Sequence, residues 1–137
     1  MYYQIKEWAA EIKVETSLMR AIVDAAAKPP TDYISQQGWV LIAFQNALWQ
    51  LLHAENLEEG VVDTVMRGGD TDTNAAIAGA LLGAVQGLDA IPAQWCNKVL
   101  NCRPDSGKPH VRYPRPECFW PVDALHVAHC LVVGGQL

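Results

Sequence analysis

RGGDTDTNAAIAGALLGA, Arg67 to Ala84, places two aspartates one residue apart behind two glycines and runs straight into a segment almost free of charge. The charge-free part has one natural form, a helix from about Thr73 to Gln86. Gly79 and Gly83 fall four apart on one face, and Ala75, Ala76, Ala78 and Ala80 keep the rest narrow. Small residues let neighbouring backbones approach closely. A helix apolar nearly all round is expected to be buried on all sides. The polar turn is then held at the end of a rigid central element, which is how a defined site is anchored.

Working outward, Ile5 to Lys28 is expected to form one long helix, with Trp8, Ile12, Leu18, Met19, Ile22, Val23 and Ala26 as a ragged apolar stripe. Pro29 and Pro30 stop it, and TDYISQQG is a polar link. Trp39 to Ala54 is a second helix, its broad apolar face running from Trp39 and Val40 through Phe44 and Leu48 to Leu52. Asn56 caps a short helix, Leu57 to Met66, with Glu59 placed to reach back as in a capping box. Val61, Val62, Val65 and Met66 are expected to face inward, and Gly68 and Gly69 end the helix.

Beyond Gly87, Pro92 suits the start of a helix carrying Trp95, Val99 and Leu100. Residues 101–119 hold four prolines and no steady period, so they form a long loop. Pro121 opens a last helix, closed by Gly134 and Gly135. No segment alternates as a sheet strand does. The expectation is an all-α fold, a compact orthogonal array of helices, with residues 1–137 forming one helical domain or part of one.

Composition narrows the function classes. The chain has 137 residues, half of them hydrophobic, and a formal net charge of −5. That size supports a real core. The negative balance argues against non-specific binding to nucleic acid or anionic membranes. No stretch has the form of a signal peptide or a membrane span. The four cysteines match no zinc spacing, and free thiols in a cytoplasmic protein are the expectation.

Asp70 and Asp72 repel unless something offsets their charge: water, a helix N-terminus, or a divalent cation. The following helix supplies the second through its free amides and dipole. The third suits the chemistry better, because hard cations take carboxylate, hydroxyl and water oxygens in octahedral array. A D-x-D-T turn offers two carboxylates and the Thr73 oxygen. The plain alternative is an aspartate N-cap with a solvated neighbour.

At these residues the sequence closely resembles the ADP-ribosylglycohydrolase (DraG-like) family. The resemblance rests on Arg67 to Gly87, and on GWVLIAFQNALWQLL, VVDT, DAIPAQW and WPVDAL around it, and covers most of the chain. It implies an all-α hydrolase with two magnesium ions, cleaving the N- or O-glycosidic bond between ADP-ribose and a protein side chain or related acceptor. By resemblance Asp70 and Asp72 are metal ligands through their carboxylates and Thr73 through its hydroxyl. Gly68 and Gly69 then shape the approach to the ions. Thr71 turns to local hydrogen bonding.

The departure is large. The family's glutamate near the start and its further Thr/Ser-Asp-Asp cluster have no match here, and no Asp-Asp pair exists in the chain. The resemblance therefore implies the C-terminal part of such an enzyme, with the general acid or base unassigned. The substrate class is an ADP-ribosylated protein or a small ADP-ribose conjugate. The alternative is an inactive helical scaffold that assembles with a companion chain, or with itself, through faces such as Trp39, Phe44 and Leu48.

Other residues carry weaker signals. His53 reads as a packed or surface histidine. His126 and His129, with Asp123, offer too few ligands for zinc and read as a solvated face. Tyr113, Phe119 and Trp120 read as pins for the long loop, or as cover for a nucleotide. Arg103, Arg112 and Arg115 have the chemistry for pyrophosphate, though their spacing does not require it.

Overall fold

The computed structural model describes residues 1–134; Gly135, read above as a helix stop, lies outside them. Among the described residues the secondary structure is all helical. The chain forms two compact units, Met1–Ile91 and a second from Pro92 onward.

The first unit begins with two helices where the apolar stripe suggested one. Helix α1 spans Tyr2–Glu11 and α2 spans Thr16–Asp24. Lys13 takes a left-handed conformation with φ 53°. Its N–H bonds to the Ala10 carbonyl at 3.2 Å, and the Val14 N–H to that of Ala9 at 3.0 Å. These are the paired bonds of a Schellman stop, built on a lysine where glycine is usual. Glu15 then starts α2 by accepting from the Ser17 N–H at 2.7 Å.

Helix α3, Val40–His53, is central but less apolar in its burial than its sequence suggests. Leu48 is buried as part of a core with Ala9, Ile22 and Ala25, against which Phe44 packs. Asn46 and Gln50 are buried too, whereas Val40 and Leu52 of the expected apolar face are exposed.

Helices α4, Leu57–Met66, and α5, Thr71–Gln86, form a hairpin packed on each other and on α3. The α4 start matches its sequence signal, since Asn56 Oδ1 accepts from the Glu59 N–H at 2.9 Å. Glu59 reaches back one residue further than a capping box requires, to the Glu55 N–H at 2.9 Å. The Gln86 side-chain oxygen at the far end of α5 takes the Leu57 N–H at 2.8 Å. That satisfies an amide the helix start leaves free.

The inward face of α4 differs from the expected one. Leu57, Gly60 and Thr64 are buried, Val61 partly so, and Val62, Val65 and Met66 are exposed, Met66 at 78%. Gly60 decides this rotation, because a Cβ there would stand 2.6 Å from Leu82 Cδ1. Gly79 faces α4 less closely, and a Cβ there would meet Val61 Cγ2 at 3.3 Å. Helix α5 buries a single stripe, Asn74, Ala78 and Leu82, and leaves Ile77 and Val85 exposed. It is therefore covered on one side, not on all sides as expected.

In the second unit, α6 spans Ala93–Leu100 and α7 spans Ala124–Val133, with short 3-10 turns at Glu117–Phe119 and Pro121–Asp123. The proline-rich segment between them is closed on itself by the Arg115 N–H, which donates to the Pro104 carbonyl at 2.9 Å, and by one aromatic. The Trp120 indole N–H donates to the Arg115 carbonyl at 2.9 Å, and Lys108 lies over its ring at 5.9 Å. Tyr113 and Phe119, expected to share that role, are exposed.

Candidate metal site at the acidic turn

Gly68 and Gly69 both take positive φ, 80° and 72°, which brings the chain from α4 round into α5 within a few residues. Gly68 has open space where a side chain would stand, so only its backbone angle requires glycine. At Gly69 a Cβ would lie 1.8 Å from the Tyr33 carbonyl oxygen. No side chain fits there.

Asp70 occupies the N-cap position of α5, yet its side chain makes no capping hydrogen bond. Interaction with the Asp70 side chain is the largest cause holding the Asp72 carboxyl below its ordinary range, followed by the Thr73 N–H. That N–H meets Asp72 Oδ1 at 3.0 Å. Asp72 and Thr73 are exposed and Asp70 half-buried. The Thr71 N–H closes the turn onto the Gly69 carbonyl at 3.0 Å.

Two carboxyls at a helix start, with a hydroxyl one residue on, make up an all-oxygen donor set. It fits a hard divalent cation and offers nothing soft. It is also partial. Among the described residues no group of three or more His, Cys, Asp and Glu is placed to hold a metal. That holds for Asp123, His126 and His129 as well. His126 Nε2 faces the Cys130 sulfur at 3.7 Å, and all four cysteines are free thiols.

Behind the turn lies a buried polar network that the hydrophobic pattern did not reveal. Tyr33, in the link read as merely polar, is 6% exposed. Its hydroxyl donates to Asn46 Oδ1 at 2.8 Å, Asn46 Nδ2 to the Thr64 hydroxyl at 3.0 Å, and Thr64 to the Gly60 carbonyl at 2.8 Å. Beside it Arg67 grips Asp63 with two N–H groups, at 2.7 and 3.1 Å, and lies over the Tyr33 ring at 5.7 Å. Gln50 also donates to Asp63. Partial burial pushes the Asp63 carboxyl up, but hydrogen bonds from Arg67 and Gln50 and the Arg67 charge outweigh it, leaving a net shift below 3.8. Burial raises the Tyr33 phenol to about 12. Asn74, the residue after the motif, is also buried, and its Nδ2 has no partner among the described residues. The signal for this network was the recurrence of Asn, Gln and Thr inside α3 and α4.

The family model described as ADP-ribosylglycohydrolase matches residues 2–112, and the chain belongs to that family. It is 39% identical over 61 residues to the putative ADP-ribosyl glycohydrolase L543 of Acanthamoeba polyphaga mimivirus, covering 42% of this chain and 18% of the relative. It is 32% identical over 68 residues to the ADP-ribosylarginine hydrolase Tri1 of Pseudomonas putida, covering 50% and 18%. With the ADP-ribosyl-[dinitrogen reductase] glycohydrolase of Rhodospirillum rubrum it shares 34% over 61 residues, 44% and 21%. The chain thus spans about a fifth of the length of these curated relatives. No solved structure matches it. Among the described residues no helix is long and apolar enough to cross a membrane.

Proposed function

We propose that this chain supplies one side of a magnesium-dependent ADP-ribosylglycohydrolase site, acting in the cytoplasm on an ADP-ribosylated protein or a small ADP-ribose conjugate. The observation that carries the reading is the aspartate pair on the glycine turn that starts α5, with Asp70 at the N-cap position and its side chain not spent on a cap. Asp70, Asp72 and Thr73 would hold the cation, two ions being the number the family resemblance implies. Bound there, magnesium supplies electrostatic stabilisation to oxygens that gain charge as the glycosidic bond breaks.

The residues of this chain have narrower tasks. The two carboxylates fix charge and direction at the turn, and the α5 amides keep that charge stable. In the reaction the bond from the anomeric carbon to the acceptor nitrogen or oxygen breaks. Water adds at that carbon, and a proton passes to the leaving group. Asp70, Asp72 and Thr73 are ligands in this scheme, and the proton-transferring residue is not among them.

Three oxygen donors fall short of the six that magnesium takes. This chain alone is therefore expected to show little hydrolysis. The exposed apolar residues favour a second component that completes the site: Trp39 at 50%, with Val65, Met66, Ile77 and Val85. Leu48, expected among them, is buried, and Phe44 packs on the core. A contiguous apolar patch on α3, α4 and α5 is what such a component would cover.

The test is a titration with manganese as the paramagnetic probe, alongside hydrolysis of an ADP-ribosylated arginine peptide. Binding is expected in the wild type and lost in Asp70→Asn and Asp72→Asn. Equal binding in all three proteins would overturn the assignment. Rapid hydrolysis by this chain alone would overturn its partial character.

A further inference from the structure

Tyr33 lies far from the acidic turn in sequence, in the link between α2 and α3, yet it meets the turn from two directions. Its carbonyl oxygen occupies the space beside Gly69, where no Cβ fits. Its ring lies under the Arg67 guanidinium, and Arg67 is the last residue before Gly68. The link itself is held in place. Asp32 Oδ1 accepts from the N–H groups of Ile34 and Ser35, at 2.8 and 2.9 Å, and Gln45 donates to the Lys28 carbonyl at 3.2 Å. The Tyr33 hydroxyl is anchored on Asn46. The turn therefore rests on a shelf whose other side is fixed to α3.

We infer that Tyr33 is a positioning residue for the acidic turn, with Arg67 as its coupling: ring and carbonyl set the path of Gly68 and Gly69, and so the direction of Asp70 and Asp72. This rests on the reading of the two aspartates as cation ligands. Tyr33 itself touches no ligand. A displaced turn keeps all its donors yet aims them differently, and loss of such outer support weakens metal sites by about tenfold or more.

The parts of Tyr33 are separable. Tyr33→Phe keeps the ring and the carbonyl shelf but loses the bond to Asn46. Tyr33→Ala removes the ring under Arg67. Arg67→Lys keeps the charge but loses the two-pronged grip on Asp63 and the flat face over the ring. Two measurements are made on wild type and all three variants: amide resonances of Gly68, Gly69 and Asp70, and manganese affinity.

In Tyr33→Ala the turn resonances are expected to move or broaden and affinity to fall about tenfold or more, with Ala78 and Leu82 of α5 unmoved. Tyr33→Phe is expected to melt earlier and to lose less manganese affinity than Tyr33→Ala, because its ring and carbonyl stay against the turn. A general loss of stability would not separate these variants in that way. If Tyr33→Ala does not fold, Arg67→Lys decides by the same two readouts. Unchanged turn resonances and affinity in the folded variants would overturn the inference. If the wild type binds no manganese, the metal assignment fails, and the turn resonances alone decide the role of Tyr33.

Discussion

The two units of this chain are held together by different means. In the first, α1, α2 and α3 enclose a hydrophobic cluster, and Tyr33, Asn46 of α3 and Thr64 of α4 form a hydrogen-bonded polar one; Ile22, Leu48 and Leu82 are almost wholly buried, as are Asn46, Thr64 and Asn74. In the second, the buried residue among those described is Cys130, and the long segment between α6 and α7 is tied by the Trp120 indole and by the Arg115 N–H on the Pro104 carbonyl at 2.9 Å. The family match runs through the first unit and ends at residue 112, within that segment. Close packing and the acidic turn thus belong to the same unit. A site that must aim two carboxylates needs neighbours that cannot shift, and a pinned loop does not supply them.

The contrast predicts a graded response to substitution. Leu48→Ala should have the largest effect, destabilising the first unit by about 2–5 kcal/mol through lost burial and the cavity left behind. Denaturant unfolding measures it, and a loss well under 1 kcal/mol would mean that the core beside α3 is loose. Thr64→Val keeps the shape but strands Asn46 Nδ2 in a buried place, at a cost of about 1–3 kcal/mol. Double-mutant analysis with Asn46→Leu should show strong coupling between the pair.

Tyr33 sets a pH dependence. Its phenol is raised from 10.0 to about 12 in the folded state. The folded chain holds that proton more tightly than the unfolded one. The stability this confers is complete below pH 10 and drains away as pH rises towards 12, about 2–3 kcal/mol in all. The difference between wild type and Tyr33→Phe across that window isolates it, and parallel curves would contradict the buried phenol.

Trp120→Phe in the second unit should have the smallest effect, about 0.5–1.5 kcal/mol for one exposed hydrogen bond. Faster proteolysis between residues 101 and 119 is expected, and cleavage at the wild-type rate would mean that the indole hydrogen bond does not hold the segment.

How much of this was written openly in the sequence depended on whether the signal was local. Asn56 announced its cap three residues ahead of Glu59, and Gly87 and Pro92 marked a real stop and start. The acidic turn was equally plain, because its residues are contiguous. The break at Lys13 was hidden, since a lysine in the left-handed region carries none of the usual glycine signature. The rotation of α4 was hidden for another reason. Val62, Val65 and Met66 look like an inward stripe until Gly60 is seen lying against Leu82, a contact no window on α4 contains. Tyr33, Asn46 and Thr64 were obscure in the same way: each is an ordinary polar residue alone, and only the fold makes them partners.

The close approach of Gly69 to the Tyr33 carbonyl also bears on the order in which the molecule assembles. Helices α4 and α5 are sequence neighbours and can pair early, through short-range contacts. The bend between them is bounded by a carbonyl from a segment that precedes α3. That contact forms only when the intervening helix has already folded back and closed a much longer loop. The shape of the acidic turn is therefore a late event in folding, reached after the hairpin that carries it.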